Sequence, residues 1–175
     1  MGKIYTVVFN SAVSGSTSNN SQQFFYDWSQ LEEGRYRVTW SFMSAVNQTT
    51  QPNGLHVPNV FMDLGQGAYT SLASSNFPTS TTIGAVFSAN FIGSLEFKSF
   101  TSNIGSYGYY CATATTNPPF YLDNRPRNNA VTINLFTNGA TQTTPFTPTP
   151  GAWTLTLQLH RQPEEDYSNK YSSQG

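Results

Sequence analysis

The chain has a single cysteine, Cys111, among its 175 residues. One thiol cannot form an internal disulfide, so a small fold held together by disulfides is excluded. The only histidines, His56 and His160, lie far apart in sequence, and neither has an acidic neighbour. This set is too poor for a zinc site and offers no nucleophile with an adjacent base. We therefore expect no catalytic residues, no metal and no cofactor, and a protein that is not an enzyme.

Charged residues are also scarce, at 10% of the chain against about 25% in an average soluble domain. The net charge is -1 and the isoelectric point is about 6.0, so there is no positive field to attract nucleic acid. Ser, Thr, Asn and Gln take the place of the ions and cost less to desolvate. A surface of this kind favours burial against neighbouring subunits, although a secreted polar β-domain has a similar composition.

No hydrophobic run approaches the length of a membrane span. The start, MGKIYTVVF, lacks the long apolar stretch of a secretory signal, so we expect a protein made inside the cell and kept reduced. Gly2 also matches the N-myristoylation pattern. A strand that begins at this point would leave an acyl chain little room, and we favour the strand.

Helix signals are nearly absent, and the dominant hydrophobic period is two, which is typical of strands. In RYRVTWSFM, the side chains of Tyr36, Val38, Trp40 and Phe42 share one face, which we expect to lie in the core. The last such run, WTLTLQLH, alternates in the same way. One short helical turn is predicted at DWSQLEEG, with a capping box from Ser29 to Glu32 and an exit at Gly34.

Further strand-like runs complete a set of seven or eight strands separated by turn-rich tracts. They are KIYTVVF, NVFMDL, TIGAVFSANF, SLEFKSF, YGYYCATAT and AVTINLF, with the third and fourth expected to form a pair joined near Ile92 and Gly93. Long, uneven loops fit Greek-key connections, so we predict an all-β, single eight-stranded jelly-roll sandwich. An immunoglobulin-like β-sandwich is the alternative. Residues 1–162 would form the domain and 163–175 a polar C-terminal tail.

Aromatic residues make up 15% of the chain, and some of them fall outside the core-facing stripes. Trp28 lies in the turn before the first clear strand, and Tyr109 lies among three tyrosines of YGYYCATAT. Such rings serve either as stacking platforms for sugars or as subunit contacts. We select Trp28 and Tyr109 as interaction residues.

The stretch PPFYLDNRPRNN holds an unusual concentration of charge for this chain. Its prolines stiffen an extended connection, and Asp123 can form an Asx turn with the backbone that follows it. Arg125 and Arg127 flank Pro126, so in an extended segment both project to the same side. We predict a rigid corner whose two arginines dock on a partner surface rich in carboxylates or carbonyls.

Two segments together resemble a known group of proteins. FFYDWSQLEEGRYRVTWSFMS, and PPFYLDNRPRNNAVTINLF with the terminal WTLTLQLH, resemble the small single jelly-roll structural proteins of large icosahedral double-stranded DNA viruses. That group includes vertex (penton) and minor capsid components. The resemblance covers most of the chain in pattern, through loose and mostly structural motifs.

The resemblance implies a structural role in the virion, with assembly in the host cytoplasm. Five copies would form a ring at each fivefold vertex, or single copies would cement neighbouring capsomers. The partners would then be copies of the same chain and neighbouring capsid proteins. A carbohydrate-binding, lectin-like jelly roll that uses exposed aromatic residues is the alternative function.

Overall fold

The computed structural model describes residues 2–12, 21–48, 57–64, 90–138, 143–145 and 152–163. Within these ranges the chain forms twelve strands and a single 3-10 turn, Trp28–Gln30. The strands are β1 Ile4–Asn10, β2 Ser21–Phe25, β3 Tyr36–Ser44, β4 Asn47–Gln48, β5 Val57–Asp63, β6 Asn90–Ser94, β7 Glu96–Ser102, β8 Gly105–Ala112, β9 Phe120–Leu122, β10 Ala130–Asn138, β11 Thr143–Pro145 and β12 Trp153–Arg161. His56 and residues 164–175 of the predicted tail lie outside the described residues.

All strand pairs are antiparallel, and they form two sheets. In sheet A, β1 pairs with β12, β12 with β3, β3 with β8, and β8 with β7. The short strands β4 and β9 extend it, because β4 pairs with β8 and β9 with β3. In sheet B, β10 lies at the centre and pairs with β5, β2 and β11, while β6 pairs with β5.

The sequence prediction of an all-β sandwich with antiparallel sheets is confirmed. The strand order differs from that of the immunoglobulin-like alternative. The first strand pairs with the last one, and the last one also pairs with β3. An immunoglobulin constant-type domain arranges its strands as ABED and CFG, and so does not place its first strand beside its last.

Apolar side chains lie on the buried face of the strands, as the alternation in the sequence predicts. Tyr36, Val38, Trp40 and Phe42 on β3 are at most 2% exposed, and so are the four alternate apolar residues of β12 from Trp153 to Leu159. Sheet B contributes the facing layer of the core, including Val131, Ile133 and Leu135, each fully buried. The core therefore lies between the sheets, as in other β-sandwiches.

The chain crosses from sheet B to sheet A between β6 and β7. The predicted turn at Ile92 and Gly93 is wrong, because both residues lie within β6 and the chain continues through Leu95 into β7. Gly93 has φ of +151°, a conformation that other residues rarely adopt. A β-carbon at this position would lie 2.6 Å from Cζ2 of Trp40 and would overlap the amide of Asn117. Glycine therefore allows the backbone to approach these two side chains.

Side chains of Trp40 on β3 and of Asn117 in the loop between β8 and β9 hold this crossing. The indole Nε1 of Trp40 donates to the carbonyl oxygen of Ile92 at 3.0 Å. The backbone N–H of Ser94 donates to Oδ1 of Asn117 at 2.9 Å, and Nδ2 of Asn117 donates to the Ser94 carbonyl at 3.0 Å. Asn117 thus satisfies both backbone groups of one residue, as a neighbouring strand would.

The 3-10 turn has a different cap from the one predicted. Asp27, rather than Ser29, is the N-cap residue, and its Oδ1 accepts from the backbone N–H of Ser29 at 3.0 Å. A turn of three residues is too short for the predicted box from Ser29 to Glu32. Gly34 has a positive φ, +130°, but the turn already ends at its C-cap residue Leu31, so the predicted exit at Gly34 is wrong.

We expect Asn117→Ala to lower the free energy of unfolding by about 1–3 kcal/mol, because it leaves both backbone groups of Ser94 without these hydrogen bonds. Chemical denaturation of the purified protein measures this loss. Thr115→Ala, on the same loop and exposed, is the matched control and should have little effect. Equal stability of the two variants would contradict a structural role for Asn117.

Candidate functional site

Most of the charged side chains predicted to dock on a partner form ion pairs within the chain instead. Glu32 and Glu33 follow the 3-10 turn, and basic side chains from distant segments contact them. Glu32 forms ion pairs with Lys3 and, at 3.2 Å, with Nη1 of Arg161. Nη2 of Arg125 lies 2.6 Å from Oε1 of Glu33. We call these five residues the charged corner, which joins the starts of β1 and β3 to the end of β12 and the loop after β9.

Backbone carbonyls complete the charged corner. Nη1 of Arg125 donates to the carbonyl oxygen of Leu31 at 3.1 Å, and Nε and Nη2 of Arg161 donate to that of Glu33 at 3.2 and 3.0 Å. Charge-assisted hydrogen bonds of this kind are stronger than neutral ones. The guanidinium groups therefore fix the turn against the body of the sandwich.

The structure does not bring Arg125 and Arg127 together as a forked pair. Arg125 reaches back to the turn, whereas Arg127 is exposed. Asp123 lies 3.5 Å from Nε of Arg35, and Oδ1 of Asn124 accepts from the N–H of Arg125 at 2.8 Å. A docking role for the two arginines stays a prediction, and Arg127 is the more exposed of the two.

Trp28 is not exposed, so its selection as an interaction residue is corrected. It is 1% exposed and packs against Tyr26 with ring centroids 4.5 Å apart. Asp27 caps the turn and thereby directs the following side chain into the core. The ring is therefore a core element and offers no face to a sugar.

Tyr109 lies in a groove on the outer face of sheet A. We call this the outer groove; its volume is about 810 Å³. Outward side chains of β3, β8 and β12 line it, and small residues at the strand ends widen it. The larger and polar side chains that line it are Met43, Lys98, Tyr109, Cys111, Thr154 and Thr156. Met43 is 59% exposed and Tyr109 half-buried, so the groove presents both apolar and hydroxyl surface.

The ionisable side chains that line the outer groove are those of Lys98, Tyr109 and Cys111. Burial raises the pKa of the Cys111 thiol, so the thiolate that would act as a nucleophile is disfavoured. Lys98 is paired with Glu96 at 2.8 Å, and this contact raises the lysine's pKa. The groove therefore suits binding by stacking and apolar contact.

Among the described residues, no group of three or more His, Cys, Asp and Glu side chains is placed to hold a metal ion. The same residues contain no helix that is long and apolar enough to cross a membrane. Comparison with protein-family models, with curated proteins and with solved structures found no match. The geometry therefore carries the functional argument.

The structure also exposes apolar side chains that the sequence interpretation did not select. Val8, Phe25, Phe100 and Ile104 are 56%, 80%, 49% and 77% exposed. Val8 carries a signal visible in the sequence, because it is an apolar residue at an outward position of an alternating strand. Ile104 lies in a turn, where alternation gives no information.

The charged corner makes stability depend on pH. The contact with Lys3 holds the pKa of the Glu32 carboxyl below its ordinary value, and hydrogen bonds from Ser29 do the same for Asp27. A folded-state pKa below the unfolded one stabilises the fold at higher pH, and this stabilisation is lost as pH falls through the folded pKa. We expect the wild-type melting temperature to fall between about pH 5 and about pH 3, and to fall less in Glu32→Gln.

Calorimetry across this pH range tests the expectation. Glu96→Gln removes the carboxylate of the exposed ion pair with Lys98 and leaves the charged corner intact. This control should show the same fall in melting temperature with pH as the wild type. Identical pH profiles for Glu32→Gln and the wild type would contradict the contribution of Glu32.

Proposed function

We propose that the chain is a structural protein of a virion: the penton (vertex) capsid protein that assembles as a pentamer, or a minor capsid protein. The observation that carries the proposal is the strand order. With β4, β7, β9 and β11 as extensions, the main strands alternate between the sheets as 1-12-3-8 and 2-10-5-6. Two Greek keys that wrap into a jelly roll produce this alternation, so it supports the jelly roll on which the resemblance depends.

The distribution of charge supports a role in assembly. In the charged corner, the two acidic residues after the turn form ion pairs with three basic residues from distant segments of the same chain. Large parts of the surface are left with neutral hydroxyl, amide and apolar groups, which can be buried against a neighbour at low desolvation cost. In the proposed role, the partners are other copies of the chain and neighbouring capsid proteins, and the site of assembly is the host cytoplasm.

Light scattering on a sizing column, at several protein concentrations, tests the vertex role. A closed ring formed by a head-to-tail contact gives a defined particle, and we expect a mass of five 19.3 kDa chains. A monomer at every concentration would contradict the pentamer and leave the minor capsid role. A defined oligomer of another size would contradict the fivefold position.

A carbohydrate-binding module is the second candidate, and the outer groove is the observation that favours it. Tyr109 places an aromatic face beside threonine hydroxyls, a combination that suits stacking of a sugar ring with hydrogen bonds at its edge. The burial of Trp28 removes one of the two rings first assigned to this function.

A glycan array followed by titration calorimetry tests this candidate. We expect any glycan bound in the outer groove to lose at least tenfold in affinity with Tyr109→Ala, because one stacking face is removed. Tyr121→Ala is the matched control, since Tyr121 is 37% exposed on sheet A and does not line the groove. A silent array, or equal loss in both variants, would contradict glycan binding at Tyr109.

A further inference from the structure

The outer face of sheet A carries an arginine at the end where β1 and β3 begin. Cross-strand pairing places Ile4, His160, Arg37 and Tyr121 side by side on β1, β12, β3 and β9. Directly paired residues of antiparallel strands share one face of a sheet, and Val38, the next residue of β3, is fully buried in the core. These four side chains therefore face outward. We call them the Arg37 row; Ile4 and Tyr121 are 59% and 37% exposed, and the two basic side chains are half-buried.

Arg37 differs from the arginines around it because no carboxylate balances its charge. Arg125 and Arg161 form ion pairs in the charged corner, and Arg35, which precedes Arg37 on the same face, lies 3.5 Å from Asp123. Within the ranges that the structure describes, Arg37 forms no ion pair, and its two neighbours in the row are not acids. A guanidinium binds carboxylates through two parallel hydrogen bonds. The row therefore offers a binding surface for an acidic segment.

The described chain ends beside this row. The N–H of Gln162 donates to the carbonyl oxygen of Arg35 at 2.8 Å, so the backbone stays next to β3 up to this residue. Gln162 lies two residues after His160, and its side chain is therefore on the same outer face. Pro163 is exposed and has no N–H with which to continue the pairing. The chain thus leaves the sheet next to the face that carries Arg37.

The sequence that follows is acidic. Residues 164–166 are Glu, Glu and Asp, three of the nine acidic residues in the chain. A strand advances about 3.3 Å per residue, so the backbone of these residues can extend at most about 13 Å from Gln162, whereas Arg37 lies about 7 Å from it along the sheet. The tail is therefore long enough to reach the row of its own chain.

We propose that residues 164–166 fold back over the outer face of sheet A and bind the Arg37 row of the same chain through their carboxylates. Charge complementarity selects this occupant, because the row holds a guanidinium without an ion pair and the tail supplies three carboxylates. The short connection selects the chain's own tail over that of another copy, since tethering gives the carboxylates an effective concentration in the millimolar range. The inference concerns a single chain and goes beyond the proposed assembly function. A neighbouring protein that binds this face has to displace the tail.

Disulfide trapping tests where the tail lies. In a Cys111→Ser background, Tyr167→Cys places a thiol just after the three acids, and Tyr121→Cys places one in the Arg37 row. Thr6→Cys is the matched control for the second thiol, because Thr6 is exposed on the same outer face at a similar distance from the end of β12. In a glutathione buffer at low protein concentration, we expect about threefold more intramolecular disulfide with Tyr121→Cys than with Thr6→Cys, since each exposed ion pair contributes little.

Two further substitutions test whether charge causes this preference. Arg37→Gln should reduce the disulfide yield at Tyr121→Cys to that of the Thr6→Cys control. Salt at about 1 M should do the same, because the screening length is then about 3 Å. Arg127→Gln removes an exposed arginine outside the row and should leave the preference unchanged.

Reversal of both charges separates a direct contact from an indirect effect of Arg37. Arg37→Glu alone should abolish the preference, because like charges then face each other. Its combination with Glu164→Arg, Glu165→Arg and Asp166→Arg should restore it.

The inference is overturned by equal trapping at the two positions, by a preference that survives Arg37→Gln, or by failure of the reversed charges to restore it. A disulfide formed only between copies also overturns it, because the tail then binds a neighbouring chain. The mass of the wild-type protein tests the pentamer separately, so failure of the tail contact and failure of the assembly function are distinguishable.

Discussion

The fold depends on how the chain is held where it passes from one sheet to the other. Trp40 and Asn117 donate to the carbonyls of Ile92 and Ser94, and the Ser94 N–H donates back to Asn117. Gly93 makes this close approach feasible because it has no side chain and adopts a positive φ. Since β7 follows directly, these contacts also set the direction in which the β7–β8 hairpin leaves the core. A local backbone constraint thus positions a hairpin that exposes Phe100 and Ile104.

The ion pairs of the charged corner and the exposed apolar side chains lie on different parts of the structure, and they have different roles. The charged corner binds the turn after Trp28 to three distant segments through Lys3, Arg125 and Arg161. Exposed apolar side chains lie elsewhere, on β1, β2 and the β7–β8 hairpin, where Val8, Phe25, Phe100 and Ile104 are each at least 49% exposed. Ion pairs within the chain cost little at a hydrated corner, whereas these apolar side chains can themselves be buried by a neighbour without desolvating charge. This division is consistent with a protein that stabilises itself at one end and associates at its edges.

The alternating strands could be predicted from the sequence, because one face of each is buried and the period of two is strong. β3 and β12 show this with core stripes from Tyr36 to Phe42 and from Trp153 to Leu159. The strand partners could not be predicted, since alternation states which face is buried and not which strand is adjacent. The error at Ile92 and Gly93 has a similar origin: a glycine that permits close approach resembles a glycine that permits a turn.

The candidate surfaces were less predictable than the fold. Trp28 seemed exposed because it lies in a polar turn, and only the cap at Asp27 shows that the ring turns inward. The sequence predicted that Arg125 contacts a partner. It could not show that Arg125 contacts Glu33 and Leu31, because these residues are distant from it in sequence. Tyr109 does lie at a groove, but the alternation did not indicate that Met43 and Cys111 would border the same groove. Long-range contacts decide such questions, and a single sequence does not contain them.

Hydrogen exchange at low and high protein concentration tests most directly whether neighbouring copies cover the outer strands of sheet A. The account predicts that amides of β7, the hairpin turn and β1 become more protected as the protein associates, whereas the β3 and β12 amides in the interior change little. Association with unchanged exchange at both edges would contradict the account, because another surface would then form the contact.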